Sequence, residues 1–455
     1  MRFPGLALFL STIYAATLVL SGCGSSVTSS NSTSTTGGSG SGTGSSVQVS
    51  FSTTTYSNPN LLWNYLLRFP GTVLADLNGD GRDDFVTSGW CPLGATNGTF
   101  SVRLSTGDGV YGPPACYTIP TATLNTVPLN ATDFMAGNFF ADGHVDIAVS
   151  DERGNLSFWK NAAGNGTLTL GSSMTPPNGD FCAYAADVNH DGKTDLICIQ
   201  DSPSGGFTMQ IQVLFGNGDG AFTPGPSTSF TMQVEAAVEG IGDFAGDGNV
   251  DVMASNYDGS SEETEILYGD GAGNFTPGPS LLGSNFGQSP AVYTWYQPFD
   301  VTSGNITDLI GSPFTYTGCG TGCYAPPPTG NNYLNIELGH SNRTLTSEKV
   351  PLENCTVSTA PPQVADFDGD GIPDIIVAEG PCQGTGLNTL DFLKGNGDGT
   401  FQPEQVVYST SDVIGPWHVM KPSQSGKPGL TIVQWQNVNN SITNPQELIL
   451  VNTTP

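Results

Sequence analysis

The sequence predicts an all-β fold, a seven-bladed β-propeller of four-stranded blades with calcium loops between strands A and B. Three observations predict it. A nine-residue acidic motif recurs along the chain, a Gly-rich hairpin recurs between its copies, and one repeat is split between the two chain ends.

The motif is complete in DLNGDGRDD (76–84), DVNHDGKTD (187–195) and DFDGDGIPD (366–374). Asp or Asn stands at positions 1, 3 and 5, Gly at 6 and Asp at 9. At this spacing alternate side chains turn inward onto one cation, and Gly permits the reversal after position 5. Apolar runs follow each copy (Phe85-Val86, Leu196-Ile197, Ile375-Ile376-Val377), so the loops join strands. Partial copies are NFFADGHVD (138–146) and DFAGDGNVD (243–251). DVTSGNITD (300–308) keeps only its ends, and MKPSQSGKPGLTIV (420–433) has no acid. The first six copies begin at 76, 138, 187, 243, 300 and 366. A period near 50 residues belongs to propellers and solenoids.

The second marker reads LSTGDGVYGP from Leu104, LFGNGDGAFTPGP from Leu214, LYGDGAGNFTPGP from Leu267 and FLKGNGDGTFQP from Phe392. A strand end, an Asn-Gly or Asp-Gly turn and then an aromatic is a hairpin signal. Each unit thus holds two hairpins, or four strands, which make one blade. The last unit ends in Glu447-Leu448-Ile449-Leu450-Val451, a third strand without a fourth. The strand-like run VQVSFSTTTY (47–56) precedes the first unit. We read that run as the outer strand of blade seven, because ring closure removes an open sheet edge. An open β-solenoid accounts for the period but not for the split unit.

The DxDGDGxxD loops and GNGDGxF turns resemble the FG-GAP/VCBS-type repeats of integrin α-subunit propellers and many secreted bacterial proteins, over 47–455. The resemblance implies calcium on one face of a seven-bladed ring, with partners met on the opposite face by the D–A and B–C loops.

The candidate side-chain ligands are Asp76, Asn78, Asp80 and Asp84; Asp187, Asn189, Asp191 and Asp195; Asp366, Asp368, Asp370 and Asp374. Position 7 offers the backbone carbonyls of Arg82, Lys193 and Ile372. Hard oxygen donors without His or Cys select Ca2+ over zinc, and three or more sites are expected. The plainer alternative is an Asx-turn that caps a hairpin. Weaker candidates are Asp243, Asp247 and Asp251, with Ala245 at position 3, and Asn138, Asp142 and Asp146, with Phe140 there. The loop from Asp300 has Gly304 at position 5 and is expected to be empty.

The N-terminus reads as a targeting segment. Arg2 precedes a largely apolar run (6–20), short for a membrane span, and then Leu20-Ser21-Gly22-Cys23. That tetrad resembles the lipobox of bacterial lipoproteins and implies a signal peptide over 1–22 and lipid attachment at Cys23; the alternative is an ordinary signal peptide. Residues 24–46 are nearly all Ser, Gly, Thr and Asn, a flexible tether spanning roughly 25 Å as a coil. The expected organisation is 1–22 signal, 23–46 lipidated Cys plus tether and 47–455 propeller. The expected location is the bacterial cell envelope, outward-facing or periplasmic.

Without Arg2 the chain has 11 Lys and Arg against 41 Asp and Glu, of which 29 are Asp. The Asp excess points to turns and cation loops. So acidic a chain offers no basic stripe to nucleic acid. Apart from Cys23 there are eight Cys, an even count in a chain read as exported. Sequence proximity suggests Cys91–Cys116, Cys182–Cys198, Cys319–Cys323 and Cys355–Cys382, among the 105 pairings that eight Cys allow.

Catalysis has little support. The four His fall in loops or strand ends, and no GxSxG or HExxH motif occurs. Binding is favoured, to a glycan or a cell-envelope or extracellular protein. The expected B–C loop of blade five (312–332) carries Phe314, Tyr316 and Tyr324. Trp90 and Tyr257 are assigned to the B–C loops of blades one and four, with Trp295 and Trp417 near strand A. Exposed aromatics stack on sugars or anchor proteins; the plainer alternative is packing between blades. A calcium-dependent carbohydrate-active enzyme, polysaccharide lyase-like, and a structural part of an envelope complex are the rival functions.

Overall fold

Each acidic loop is followed by an inner strand that is apolar on both faces. Asp374–Gly380, for example, is buried at its first six positions. A strand sandwiched between two neighbouring sheets has this pattern. In the computed structural model, six such strands and Gly429–Val438 are the second strands of seven antiparallel blades, of which blades four and five join through Ser284↔Tyr293 into one nine-stranded sheet. The residues described are 27–28, 48–57, 72–87, 91, 99–120, 131–151, 153–177, 181–201, 208–231, 235–257, 261–285, 291–316, 329–356, 361–381, 386–438 and 441–455. The assigned signal peptide, Cys23 and nearly all of the tether lie outside them.

Blade one runs Thr72–Ala75, Asp84–Thr87, Thr99–Arg103 and Ala115–Thr118 as strands A to D. Blade two is Ala131–Gly137, Asp146–Asp151, Leu156–Lys160 and Thr169–Met174; blade three is Phe181–Ala186, Asp195–Asp201, Thr208–Gly216 and Phe222–Thr231. Blade four is Glu235–Gly242, Asp251–Tyr257, Ser261–Gly269 and Phe275–Asn285; blade five is Ala291–Phe299, Asp308–Tyr316, Tyr333–Gly339 and Leu345–Pro351. Blade six is Gln363–Ala365, Asp374–Gly380, Asn388–Leu393 and Gln405–Thr410. There the short strand Cys355–Thr356 also pairs with the far end of strand B. Blade seven takes Val413–Met420, Gly429–Val438 and Ser441–Asn452 from the end of the chain, and Phe51–Ser57 from its beginning. That outer strand pairs antiparallel with strand C from Phe51↔Asn452 to Ser57↔Gln446. The ring closes as the split repeat predicts.

The core consists of seven apolar layers, one at each seam. Val86, Phe100, Ile147 and Trp159 fill the seam between blades one and two, and Phe158, Leu196 and Leu214 that between two and three. Ile197, Val213 and Val252 follow, then Met253, Ile266 and Leu309, Ile310, Ile336 and Val377, and Ile376, Trp417 and Leu448. Tyr56, Phe85, Tyr111 and Ile449 close the last seam, between blades seven and one. Successive residues of strand B serve opposite seams, because side chains alternate across a strand. Ile375 faces blade five and Ile376 faces blade seven.

Three expectations change here. Ser312 to Tyr316 are the second half of strand B of blade five, so the connection there is shorter than 312–332. Tyr257 ends strand B of blade four and is not in a loop. Trp417 lies in strand A of blade seven at 1% exposure, and its indole N–H donates to the Pro361 carbonyl. It is a packing residue, because a large indole gains most from burial when its N–H finds a partner.

Candidate cation loops and the opposite face

The A–B loops of blades one to six share one backbone, whatever their acid content. Positions 4 and 6 are left-handed in every copy: Gly79 and Gly81, Ala141 and Gly143, His190 and Gly192, Gly246 and Gly248, Ser303 and Asn305, Gly369 and Gly371. Gly adopts this region without strain and other residues rarely do. The loop from Asp300 keeps the geometry with Ser and Asn at those positions, so the surrounding contacts hold it there.

The position-9 carboxylates provide those contacts. Asp84, Asp146, Asp195, Asp251, Asp308 and Asp374 are all fully buried. Each accepts one backbone N–H from its own loop and one from the end of strand C. For Asp84 the donors are Leu77 at 2.9 Å and Ser105 at 2.7 Å. For Asp308 they are Val301 at 3.0 Å and Gly339 at 2.8 Å. For Asp374 they include Phe367 at 3.0 Å and Gly395 at 2.9 Å. The position-9 Asp therefore staples the two hairpins of a blade together. Burial raises these carboxyls above their usual range, against the pull of the N–H donors: Asp84 and Asp374 to about 7 and Asp251 to about 6.

The position-1 carboxylate organises the turn. Asp366 accepts from Gly369 at 2.7 Å, Asp370 at 3.0 Å and Gly371 at 2.9 Å. Asp76 accepts from Gly79, Asp80 and Gly81 in the same way, and Asp187 from Asp191 and Gly192. A carboxylate oxygen has two lone-pair sites, so an N–H on one leaves the other for an ion. In blade six one oxygen each of Asp366, Asp368 and Asp374 lies within 4.8 Å of the others, which fits one cation. Blades one and three have Asn78 and Asn189 at position 3, so an amide oxygen stands where that third acid would be; both accept from the position-5 N–H.

The position-5 acids carry a feature that the motif does not show. Each meets one basic side chain: Asp80 meets Arg82 at 3.4 Å, Asp142 meets Lys160 at 3.1 Å, Asp191 meets Lys193 at 3.1 Å, Asp247 meets Arg343 at 3.4 Å and Asp370 meets Lys394 at 2.5 Å. Lys394 also contacts Asp368. These five are drawn from only 12 Lys and Arg in the whole chain. Against a small burial effect, hydrogen bonds from Lys394 and from the Ile372 N–H hold the Asp370 carboxyl below its usual range. Each tethered cation thus occupies ground that a free ion would also seek.

On the opposite face a cavity of about 240 Å³ lies between blades one and two, lined by Ile119, Pro120, Asp151, Asn155, Met174 and Thr175. Asp151 accepts from the Arg153 and Asn155 N–H groups and makes a tight B–C turn beside it. Trp90 and Tyr324 lie outside the described residues, as do the side chains of Tyr257, Trp295, Phe314 and Tyr316. Two predicted disulfides are present, Cys91–Cys116 and Cys182–Cys198, with Cα separations of 5.9 and 3.8 Å. Cys355 is disulfide-bonded. Cys319, Cys323 and Cys382 lie outside the described residues. No helix among the described residues is long and apolar enough to cross a membrane.

The sequence reading missed a second acidic group in blade six. Glu379, Asp391 and Glu404 bring one oxygen each within 4.8 Å of one another. The available signal was an acid inside each of two apolar strand runs, DIIVAEG and NTLDFL.

The FG-GAP-like repeat family matches residues 138–198 and 187–254, which span blades two and three and reach into blade four. No curated protein matches the chain. Among solved structures, the chain is similar to BBS1N in complex with ARL6DN at 10% identity, covering 85% of this chain and 93% of that one, TM-score 0.45. It is similar to Saccharomyces cerevisiae Sqt1 at 10% identity, covering 84% and 86%, TM-score 0.42. It is similar to Penicillium chrysogenum α-L-arabinanase complexed with arabinobiose at 12% identity, covering 70% and 92%, TM-score 0.41. A shared fold does not by itself imply a shared function, which resides in the site. The blade count rests on seven four-stranded units and seven seams, and the repeat match rests on the loops that begin strand B: this chain is a seven-bladed β-propeller that carries FG-GAP-like repeats over residues 138–254.

Proposed function

We propose that this protein is a calcium-stabilised binding propeller that takes a glycan or protein ligand on its D–A and B–C loop face. The observation that carries the binding reading is the cavity between blades one and two. At about 240 Å³ it is smaller than the ~300–1,000 Å³ of typical small-molecule sites. It suits one sugar ring or one side chain of a longer ligand. It sits on a rigid seam, and Asp151 and Asn155 place polar atoms at its rim, so little ordering would be lost on binding.

On the other face, Asp366, Asp368, Asp370 and Asp374 would hold one calcium. Asp76, Asn78, Asp80 and Asp84, and Asp187, Asn189, Asp191 and Asp195, would hold two more. The ions' part is structural: each would neutralise crowded carboxylates and fix an A–B hairpin. Cys23 would carry the lipid, and the Ser/Gly/Thr tether would present the propeller at the bacterial envelope.

A glycan array and an overlay of envelope proteins, probed with calcium-loaded mature protein, test the binding reading. A reproducible ligand is expected. Thr175→Trp, at an exposed position on the cavity rim, should remove its binding without changing the melting temperature. Binding that survives this substitution moves the ligand elsewhere. Turnover of a uronic-acid polymer would favour the enzyme reading instead.

A further inference from the structure

We propose that blade six holds a second cation site, separate from the A–B loops, in which Glu379, Asp391 and Glu404 bind a hard divalent cation of the calcium class. The three acids come from different parts of the blade. Glu379 is near the far end of strand B, Asp391 is in strand C and Glu404 immediately precedes strand D. Glu379 pairs with Thr389 and Asp391 with Val377, so both acids share the sheet face of Val377. That face packs on blade five through Val301, Ile336 and Leu352. The cluster is thus built into a seam and is not a solvated acidic surface.

Its surroundings are those of a ligand shell. Glu379 is fully buried and Asp391 is 3% exposed, while Glu404 is half-buried and opens the site to solvent. One oxygen of each acid is fixed by a donor. Asn354 N–H donates to Glu379 Oε2 at 2.9 Å, Glu353 N–H to Glu404 Oε1 at 2.6 Å, and the Thr389 hydroxyl to Asp391 Oδ2. Glu379 Oε1 is buried without any donor. Thr356 Oγ1 is also buried without a partner, on the residue directly across the ladder from Glu379. An orphan carboxylate oxygen and an orphan hydroxyl are costly to bury unless something binds them.

No Lys or Arg forms an ion pair with the three acids among the described residues; the seven ion pairs found there all belong to the loops. Three carboxylates and a hydroxyl are hard oxygen donors, which select calcium or magnesium over softer metals. Desolvation, and then the charge of Glu404, push the Glu379 carboxyl upward. A proton shared between Glu379 and Glu404 is the other way to hold the group together.

Calcium titration of the full mature protein after chelator and dialysis separates the two. The variants are Glu379→Gln, Glu404→Gln at the half-buried rim, and Asp366→Asn as the loop control. We expect Glu379→Gln and Glu404→Gln each to bind one calcium fewer than wild type. In chelator both should melt at or above the wild-type temperature, because repulsion has been relieved. Asp366→Asn should lose a different ion, so the double variant loses two. A full ion count in both Gln variants overturns the proposal in favour of the shared proton, whether or not the loops bind. Loss of an ion in the Gln variants with none lost in Asp366→Asn supports this site and removes the loop assignment. Should Glu379→Gln fail to fold, the rim variant decides alone.

Discussion

The Tyr56 hydroxyl donates to the Gly109 carbonyl at 3.1 Å and accepts the Tyr111 N–H at 3.0 Å, joining the first-made strand of blade seven to blade one. The two rings meet edge to face at 6.3 Å, and the Arg103 guanidinium lies 4.8 Å over Tyr56. This seam is where a ring built from one chain must close on itself, and it combines apolar burial with a polar clasp.

Tyr56→Phe keeps the ring and removes the clasp. It leaves a buried N–H and a buried carbonyl short of a partner, a loss of about 1–3 kcal/mol. A lowered denaturation midpoint with unchanged slope is the expected result. An unchanged midpoint would show that the hydroxyl contributes nothing to closure.

Asp308→Ala should destabilise the protein by about 2–4 kcal/mol while leaving its calcium count intact. It would orphan the Val301 and Gly339 N–H groups, each worth roughly 1–2 kcal/mol when buried. Asp300→Ala, in the same loop, should cost less than about 1 kcal/mol, since among the described residues its carboxylate accepts a local Thr302 N–H. Comparable losses in the two variants would contradict the stapling role of position 9.

Much of this arrangement was legible in the sequence. Gly at position 6 and Asp at position 9 recur because the turn and the staple each require one residue type. The split repeat gave the closure. What was not legible depends on contacts across blades. Arg343 reaches Asp247 from 96 residues away, and Glu379, Asp391 and Glu404 meet only once three strands are stacked. The sequence left Trp417 open between exposure and packing, because exposure is set by the neighbouring blade and not by the segment itself. Left-handed position 4 was also missed, since Ala141, His190 and Ser303 hide a pattern that Gly79, Gly246 and Gly369 would have shown.

Glu447 gives a pH signature. It is buried in strand C of blade seven, where desolvation raises its carboxyl to about 7 against the pull of Arg103 and the Thr431 hydroxyl. A carboxyl with a raised folded pKa binds more protons folded than unfolded, so its contribution falls as pH rises from about 4.5 to 7. Glu447→Gln should flatten that part of the stability–pH curve and gain up to ~3 kcal/mol near pH 8 relative to wild type. Parallel curves for the two proteins would mean that Glu447 titrates normally.

Lys394 offers the sharpest test of the calcium loops. Its ammonium contacts both Asp368 and Asp370, two of the four side chains assigned to the blade-six ion. A calcium ion must displace that ammonium or bind beside it, and either choice weakens the site through repulsion or lost contacts. Lys394→Ala should therefore tighten calcium binding at this loop, on the order of 10-fold for about 1.4 kcal/mol of relieved competition. Without calcium the same variant should be less stable than wild type, because Asp368 and Asp370 would lose their tethered counterion. Calcium should reverse the order, since a ligand that binds only the folded state stabilises it by mass action. Asp370→Ala removes the shared acid and should abolish the ion and the competition together. If Lys394→Ala binds calcium no more tightly than wild type and loses stability equally with and without it, then the lysine is the loop's permanent cation and blade six takes no calcium there.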